Sequence, residues 1–185
     1  MAKVQKQIIL IDGPQGVGKD AAISELLKIK PNLKYITSYS SRSMRPGEID
    51  GQTHWFISEQ EFKDKLKSGD IFEFEMWHGT YRGMSKSIID KLLQDGYIGT
   101  KTIGIEGVRK LKKMYGDLVL TIFITANKNI LRQRLVKRGC EDIESRLADY
   151  ERRHATIDEM DHIVVDEGPL HESVEKIVNI LKEYE

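Results

Sequence analysis

The chain has 185 residues, a single cysteine, and 29 basic against 29 acidic side chains, so its formal net charge is zero. That length suits one compact domain that buries its core without disulfide or metal staples, and one cysteine excludes an internal disulfide and points to a reducing compartment. Electroneutrality argues against a general polyanion binder, so no nucleic-acid partner is expected and any affinity for phosphate must come from local clusters.

Met1 to Lys6 is polar, without the apolar core of a secretory signal, and no apolar run approaches membrane-spanning length. A cytoplasmic protein with no membrane partner is expected. Gln7 to Ile11 is a short apolar, β-branched run that reads as a buried strand. It leads into Gly13-Pro14-Gln15-Gly16-Val17-Gly18-Lys19-Asp20, after which Ala21, Ala22, Leu26 and Leu27 fall at helical spacing. Strand, glycine loop and helix in that order make a phosphate loop of the form Gly-x-x-x-x-Gly-Lys. The glycines let backbone N–H groups approach phosphate oxygens, and the lysine reaches the β- and γ-phosphates. The next residue is normally Ser or Thr, whose hydroxyl binds Mg²⁺; here it is Asp20.

Further strands are expected at Lys34 to Ser38, Ile98 to Ile105, Leu118 to Thr125 and His162 to Val165. Helical periodicity marks Ser87 to Gln94, Val108 to Met114, Asn129 to Lys137, Ile143 to Met160 and Glu172 to Glu183. Short strands alternating with helices predict a parallel α/β sheet carrying its ligand beyond the strands' carboxyl ends. Tyr39 to Tyr81, rich in polar, glycine and aromatic residues, reads as a substrate-facing insert, and the arginine-dense stretch from Arg132 to Arg153 as a helical flap.

Phosphoryl transfer asks a protein mainly for positioning and positive charge. Two clusters offer it. In Ser41-Arg42-Ser43-Met44-Arg45-Pro46-Gly47-Glu48 two arginines beside a Pro-Gly turn can bracket a phosphate with a geometry lysine lacks. In Leu131 to Gly139, Arg134 and Arg138 share a helical face, and the cluster continues to Arg146. Arg152 and Arg153 read as ordinary solvated charge, as do Asp158, Glu159 and Asp161. Cys140 and the five histidines lack metal-ligand spacing.

From about Gln7 to Leu181 these motifs together resemble the guanylate kinases, a family of P-loop nucleoside-monophosphate kinases. The resemblance rests on Ser38, Ser41, Arg42, Arg45, Gly47, Glu48, Gly51 and Phe56, then Phe62 and Ile71-Phe72-Glu73, and on the flap pattern at Leu131 to Gly139 with Arg146-Leu147. It implies an α/β P-loop three-layer sandwich with a parallel sheet: a core of 1–38, 86–130 and 161–185, a nucleoside-monophosphate-binding insert of 39–85, and a helical lid of 131–160. It implies ATP-dependent phosphoryl transfer with Mg²⁺, GMP being the expected acceptor, by a monomer or homodimer whose partners are small-molecule nucleotides.

Carried over by position, Lys19, Arg42, Arg138 and Arg146 are the catalytic set. ATP would lie on Gly13, Pro14, Gln15, Gly16, Val17, Gly18, Lys19, Asp20, Ala21 and Arg134. The acceptor would meet Ser38, Arg42, Arg45, His54, Glu73 and Arg82, with Asp20 as metal ligand. Insert and flap would close over both nucleotides. The chain departs from the family pattern at His54, Arg82, Met84, Thr102, Gly104 and Asp166-Glu167, which removes base and Mg²⁺ contacts while keeping phosphate contacts. Gly-Lys-Asp also resembles the loop of ribose 1,5-bisphosphate phosphokinases, so a sugar-phosphate kinase is one alternative. A non-catalytic guanylate-kinase-like binding module is another.

Overall fold

The computed structural model describes residues 5–77 and 79–185; Met1–Val4 and His78 lie outside them, and with them part of the polar N-terminal stretch. The chain forms two compact units, one reaching to Leu33 and resuming at Thr100–Glu185, the other Lys34–Gly99. Among the described residues no helix is long and apolar enough to cross a membrane.

In the first unit β1 (Ile8–Asp12) and β8 (Val119–Thr125) pair in parallel, Ile8 opposite Val119 through Asp12 opposite Phe123. Every residue of β1 is buried, as are Val119 to Ile124, so both strands are apolar along their length rather than alternating. β9 (His162–Val165) extends the sheet in parallel, Ile122 opposite His162. The five strands run in the order β2-β7-β1-β8-β9, where β2 is Leu33–Tyr35 and β7 is Ile98–Thr102. The chain leaves β1 for the β2 edge, and the later crossover from β7 passes to β8 on the other side of β1. Such a switch point opens a crevice at the strand's carboxyl end, where Gly13 begins.

Helices α1 (Lys19–Ile29) and α7 (Leu170–Lys182) pack together, as do α5 (Lys128–Lys137) and α6 (Ile143–His154), while α4 (Ile105–Tyr115) lies on β8. Strands covered by helices in this way make the α/β sandwich that the sequence implies. The strand expected to reach Ile105 ends at Thr102, because Gly104 is the residue that starts α4. The helix expected to reach Met160 stops at His154, where the Thr156 hydroxyl donates to the Arg153 carbonyl (3.0 Å) and a short 3₁₀ turn follows. Asp161, expected as solvated charge, accepts both the N–H and the hydroxyl of Thr121 at 2.8 Å, and so ties the start of β9 to β8. Glu159 likewise receives the Arg109 fork (2.6 Å).

The second unit is a four-stranded sheet, β4-β3-β6-β5, with β3 at Ser38–Ser40, β4 at His54–Phe56, β5 at Ile71–Trp77 and β6 at Thr80–Ser85. The single strand expected at Lys34 to Ser38 is two strands in different sheets, because the chain turns at the buried Ile36, whose side chain lies against Gly99. Helix α2 (Glu59–Lys67) begins with a reciprocal cap. Ser58 accepts from the Glu61 N–H (3.1 Å), and Glu61 accepts from the Ser58 N–H (2.8 Å). Its one buried side chain, Phe62, stacks on Tyr81 with ring centres 5.3 Å apart and meets Phe74 edge-on. Gly83 makes room for it: a Cβ there would lie 2.7 Å from both Phe62 and Ile71. Helix α3 (Lys86–Gln94) completes the unit, its first turn capped by Ser85.

Phe62 is thus the buried apolar anchor of α2 on the sheet, with Lys63 and Lys65 lying over the Tyr81 and Tyr39 rings beside it. Phe62→Ala should lower the unfolding free energy by about 3–5 kcal/mol, as for other buried aromatic truncations, measured by urea denaturation followed by circular dichroism. A loss under about 1 kcal/mol would mean that α2 is held elsewhere.

Candidate functional site

The phosphate loop fills the crevice at the end of β1. Gly13 has φ 147°, and a Cβ there would sit 2.1 Å from the Ile124 carbonyl oxygen, so only glycine lets the loop leave the strand beside β8. Gly16 and Gly18 also have positive φ, and Gly18 starts α1, whose first N–H groups face the loop. Lys19 turns back over the loop and donates to the Gly13 carbonyl (2.7 Å) and the Pro14 carbonyl (3.0 Å). Burial, reinforced by the Arg153 guanidinium, lowers its pKa to about 8 against the opposing pull of Asp12, Asp20 and Asp149. Asp20 is exposed on the first turn of α1 and accepts from the Thr102 hydroxyl at the end of β7 (3.3 Å).

Helix α6 brings two arginines to this loop. Arg146 Nη1 donates to Gln15 Oε1 (2.9 Å), and Arg146 Nε is buried with no hydrogen-bond partner among the described residues. Arg153, expected as solvated charge, is instead three-quarters buried. Its Nη1 donates to Asp12 Oδ1 and its Nε to Asp149 Oδ2 (2.6 Å). Both carboxylates are buried. Asp12 Oδ1 also accepts the Gly13 N–H (2.7 Å). Burial pushes the Asp12 carboxyl up, against Arg153, the Gly13 N–H and Lys19. Sequence reasoning missed this pair. The available signal was an aspartate ending an otherwise apolar buried strand, which demands a partner.

On the other side of the loop, Arg134 of α5 donates to the buried Asp166 (2.8 Å) and to the Gly168 carbonyl (3.3 Å), and Ser173 donates to Asp166 (2.8 Å). A cavity of about 510 Å³ lies here, lined by Gly16, Gly18, Ala21, Arg134, Arg138 and Asp166 among others. Arg138 is exposed at the carboxyl end of α5. The first unit therefore gathers Gly13 to Ala21 with Arg134, Arg138 and Arg146.

The second unit holds the remaining candidates, four of them on one sheet face and Arg42 and Arg45 in the loop after β3. Ser38 stands opposite His54, Ser40 opposite both Phe56 and Arg82, Glu73 opposite Met84 and Glu75 opposite Arg82. With alternate residues on alternate faces, Ser38, His54, Glu73 and Arg82 share the face away from Phe62. Ser38 is buried, and Arg82 is exposed with Glu75 at 3.7 Å. In the loop after β3, Arg42 lays its fork on Glu48 (2.7 and 2.5 Å) and stacks over the Phe56 ring at 5.0 Å. The Arg45 N–H also donates to Glu48 (2.7 Å). The Arg42 fork, helped by that N–H, holds the Glu48 carboxyl at a pKa of about 2. Arg42 Nε is buried with no hydrogen-bond partner among the described residues.

A family model described as Guanylate kinase matches residues 5–184. The chain is 33% identical to the guanylate kinase of Thermotoga maritima over 179 residues, covering 95% of this chain and 86% of that protein. It is 33% identical to the guanylate kinase of Helicobacter pylori over 178 residues, again covering 95% and 86%. Among solved structures, the guanylate kinase of Anaplasma phagocytophilum matches with a TM-score of 0.72 at 24% identity, over 99% of this chain and 88% of that one. A gluconokinase from Sinorhizobium meliloti 1021 matches with a TM-score of 0.55 at 14% identity, over 97% and 94%. At those identities the two structures speak to the fold alone.

An ammonium at Lys19 is the form that can pair with phosphate oxygens. Because its pKa in the free protein is lowered to about 8, the cation is lost as pH rises through that value. Calorimetric titration with ATP should show full affinity below about pH 8 and about a tenfold loss per pH unit above it. Binding near that pH should be accompanied by proton uptake. Affinity that stays level across pH 8 would show that the ammonium is not the anion's partner.

Proposed function

The chain belongs to the guanylate kinase family and is a nucleoside-monophosphate kinase, and we propose that it transfers the γ-phosphoryl group of ATP to GMP in the cytoplasm, as a monomer or homodimer. The observation that carries this reading is the family match over residues 5–184, in a chain that keeps Lys19 on its loop and the arginines of both clusters.

The residues divide the work as phosphoryl transfer requires. Lys19 moves from the Gly13 and Pro14 carbonyls to the donor's β- and γ-phosphates, where the N-terminus of α1 adds its dipole. Arg138 and Arg146 supply further positive charge to the transferring group, and Arg134 lines the donor cavity. Arg42 and Arg45 hold the acceptor's monophosphate, the unpartnered Arg42 Nε being one donor for it, with Ser38 and His54 beside it. Glu73 accepts from the base edge and Arg82 lies on the same face. No side-chain nucleophile is needed, since the acceptor's own phosphate oxygen attacks.

The residues present fit Mg²⁺. Asp20 and Thr102 offer one carboxylate and one hydroxyl, and no group of three or more His, Cys, Asp or Glu among the described residues could hold a metal alone. That suits an ion that keeps several waters and takes its other oxygens from substrate phosphates. When bound, it would neutralise charge on the β- and γ-oxygens.

An acceptor panel with ATP and Mg²⁺, read by ADP release, should give turnover with GMP above that with other nucleoside monophosphates and with ribose 1,5-bisphosphate. Preference for the sugar bisphosphate would move the chain to that neighbouring activity, and no turnover with any acceptor would make it a binding module. Arg42→Lys should raise the KM for GMP about tenfold or more while the KM for ATP stays near its original value, since a single ammonium cannot both take the place of the fork on Glu48 and offer an Nε–H to phosphate. An unchanged KM for GMP would remove Arg42 from the acceptor site.

A further inference from the structure

The Asp12–Arg153–Asp149 cluster lies outside every role assigned above, yet it touches the phosphate loop at its first residue. We propose that Arg153 is a positioning residue of the transfer centre: acting through Asp12, it fixes the start of the phosphate loop and hence the place from which Lys19 works. The inference rests on Lys19 being the phosphate-binding lysine.

The connection is a continuous chain of hydrogen bonds. Asp149 accepts from Arg153 Nε, Arg153 Nη1 donates to Asp12 Oδ1, the same oxygen accepts the Gly13 N–H, and the Gly13 carbonyl accepts from Lys19 Nζ. Little slack exists along it. Asp12 is locked in register with Phe123, and Gly13 is pressed against the Ile124 carbonyl. A shift of the Asp12 carboxylate must therefore appear in the loop.

The same helix meets the loop a second time through Arg146 and Gln15. Arg146 and Arg153 are seven residues apart, so one face of α6 holds the loop at both contacts. The geometry is also specific to arginine. One guanidinium spans two buried carboxylates on different elements, which the single ammonium of a lysine on its flexible stem would not reproduce.

The charge balance points the same way. Asp12 Oδ2 is buried with no hydrogen-bond partner among the described residues, and Arg153 gives the carboxylate its largest electrostatic compensation, ahead of the Gly13 N–H and Lys19. Removing one member of a buried ion pair leaves an uncompensated charge, whereas removing both is often neutral for stability. That asymmetry separates a positioning role from a merely structural one.

The test compares Arg153→Met, Asp12→Asn, the double variant Asp12→Asn/Arg153→Met, and Lys19→Ala, each measured for Tm, for kcat with ATP and GMP, and for the KM of each nucleotide. Arg153→Met should lower Tm and reduce kcat on the order of tenfold to a hundredfold, as misplacement of a positioned group does, with the KM for GMP little changed. The double variant, in which Asp149 keeps its ion pair with Arg152, should recover most of the Tm and little of the kcat. If kcat recovers together with Tm, the pair only fastens α6 to the sheet and the inference fails. It fails equally if Arg153→Met folds and turns over at the original rate. Should Arg153→Met not fold, the double variant alone decides, since normal kcat in it overturns the inference. Lys19→Ala keeps the two readings apart. Inactive Lys19→Ala beside fully active Arg153→Met overturns the role of Arg153 alone, whereas active Lys19→Ala overturns the reading of the loop beneath it.

Discussion

Keeping an ammonium group charged where water is scarce is the constraint around which the first unit is built. Lys19 stands over the glycine loop, and burial there lowers its pKa to about 8. Two backbone carbonyls accept its hydrogen bonds in the free protein, while Asp12, Asp20 and Asp149 surround it with compensating charge. Arg153 works against the ammonium electrostatically, yet it neutralises two of those carboxylates and holds one of them in place. The buried strands β1 and β8 make the site rigid enough for such a balance to matter, with Gly13 packed so closely on Ile124 that no side chain would fit between them.

The two units offer phosphate different physics. The first uses a point charge, a helix dipole and backbone N–H groups, which suits a flexible polyphosphate chain. The second offers arginines in the loop beside a small, partly antiparallel sheet, where Glu48 takes the Arg42 fork, the Phe56 ring supports its plane and Arg42 Nε is left without a partner among the described residues. A guanidinium held by a carboxylate and an aromatic ring has given up much of its rotamer entropy before any ligand arrives. Asp20 departs from the usual hydroxyl at its position, but with Thr102 on the neighbouring strand a hydroxyl still stands 3.3 Å from its carboxylate.

Several elements were legible because a single physical rule governed them. Strand, glycine loop and helix from Ile8 to Ile29 follow from an apolar run, obligatory glycines and helical spacing, all local signals. The helices α3, α5 and α7 also follow closely from periodicity. The insert was less transparent: β4 and β3 have three residues each, too few for a period to show, and β5 and β6 are rich in polar and aromatic residues on both faces. The break between β2 and β3 was hidden for another reason, since Ile36 looks like one more strand residue until Gly99 packs on it.

What the amino-acid sequence determined by itself was the chemistry: a phosphate loop, two arginine clusters and the α/β alternation that places the loop at a strand's end. These depend on residue types at short fixed spacings, which the chain carries without folding. Only the tertiary structure decided that Arg153 is buried rather than solvated, that Asp161 joins two strands, and that Ser38, His54, Glu73 and Arg82 share a sheet face. Each depends on contacts between residues far apart in the chain, Asp12 and Arg153 being separated by most of its length. A charge pattern on one helix cannot reveal which carboxylate will be waiting when the helix docks.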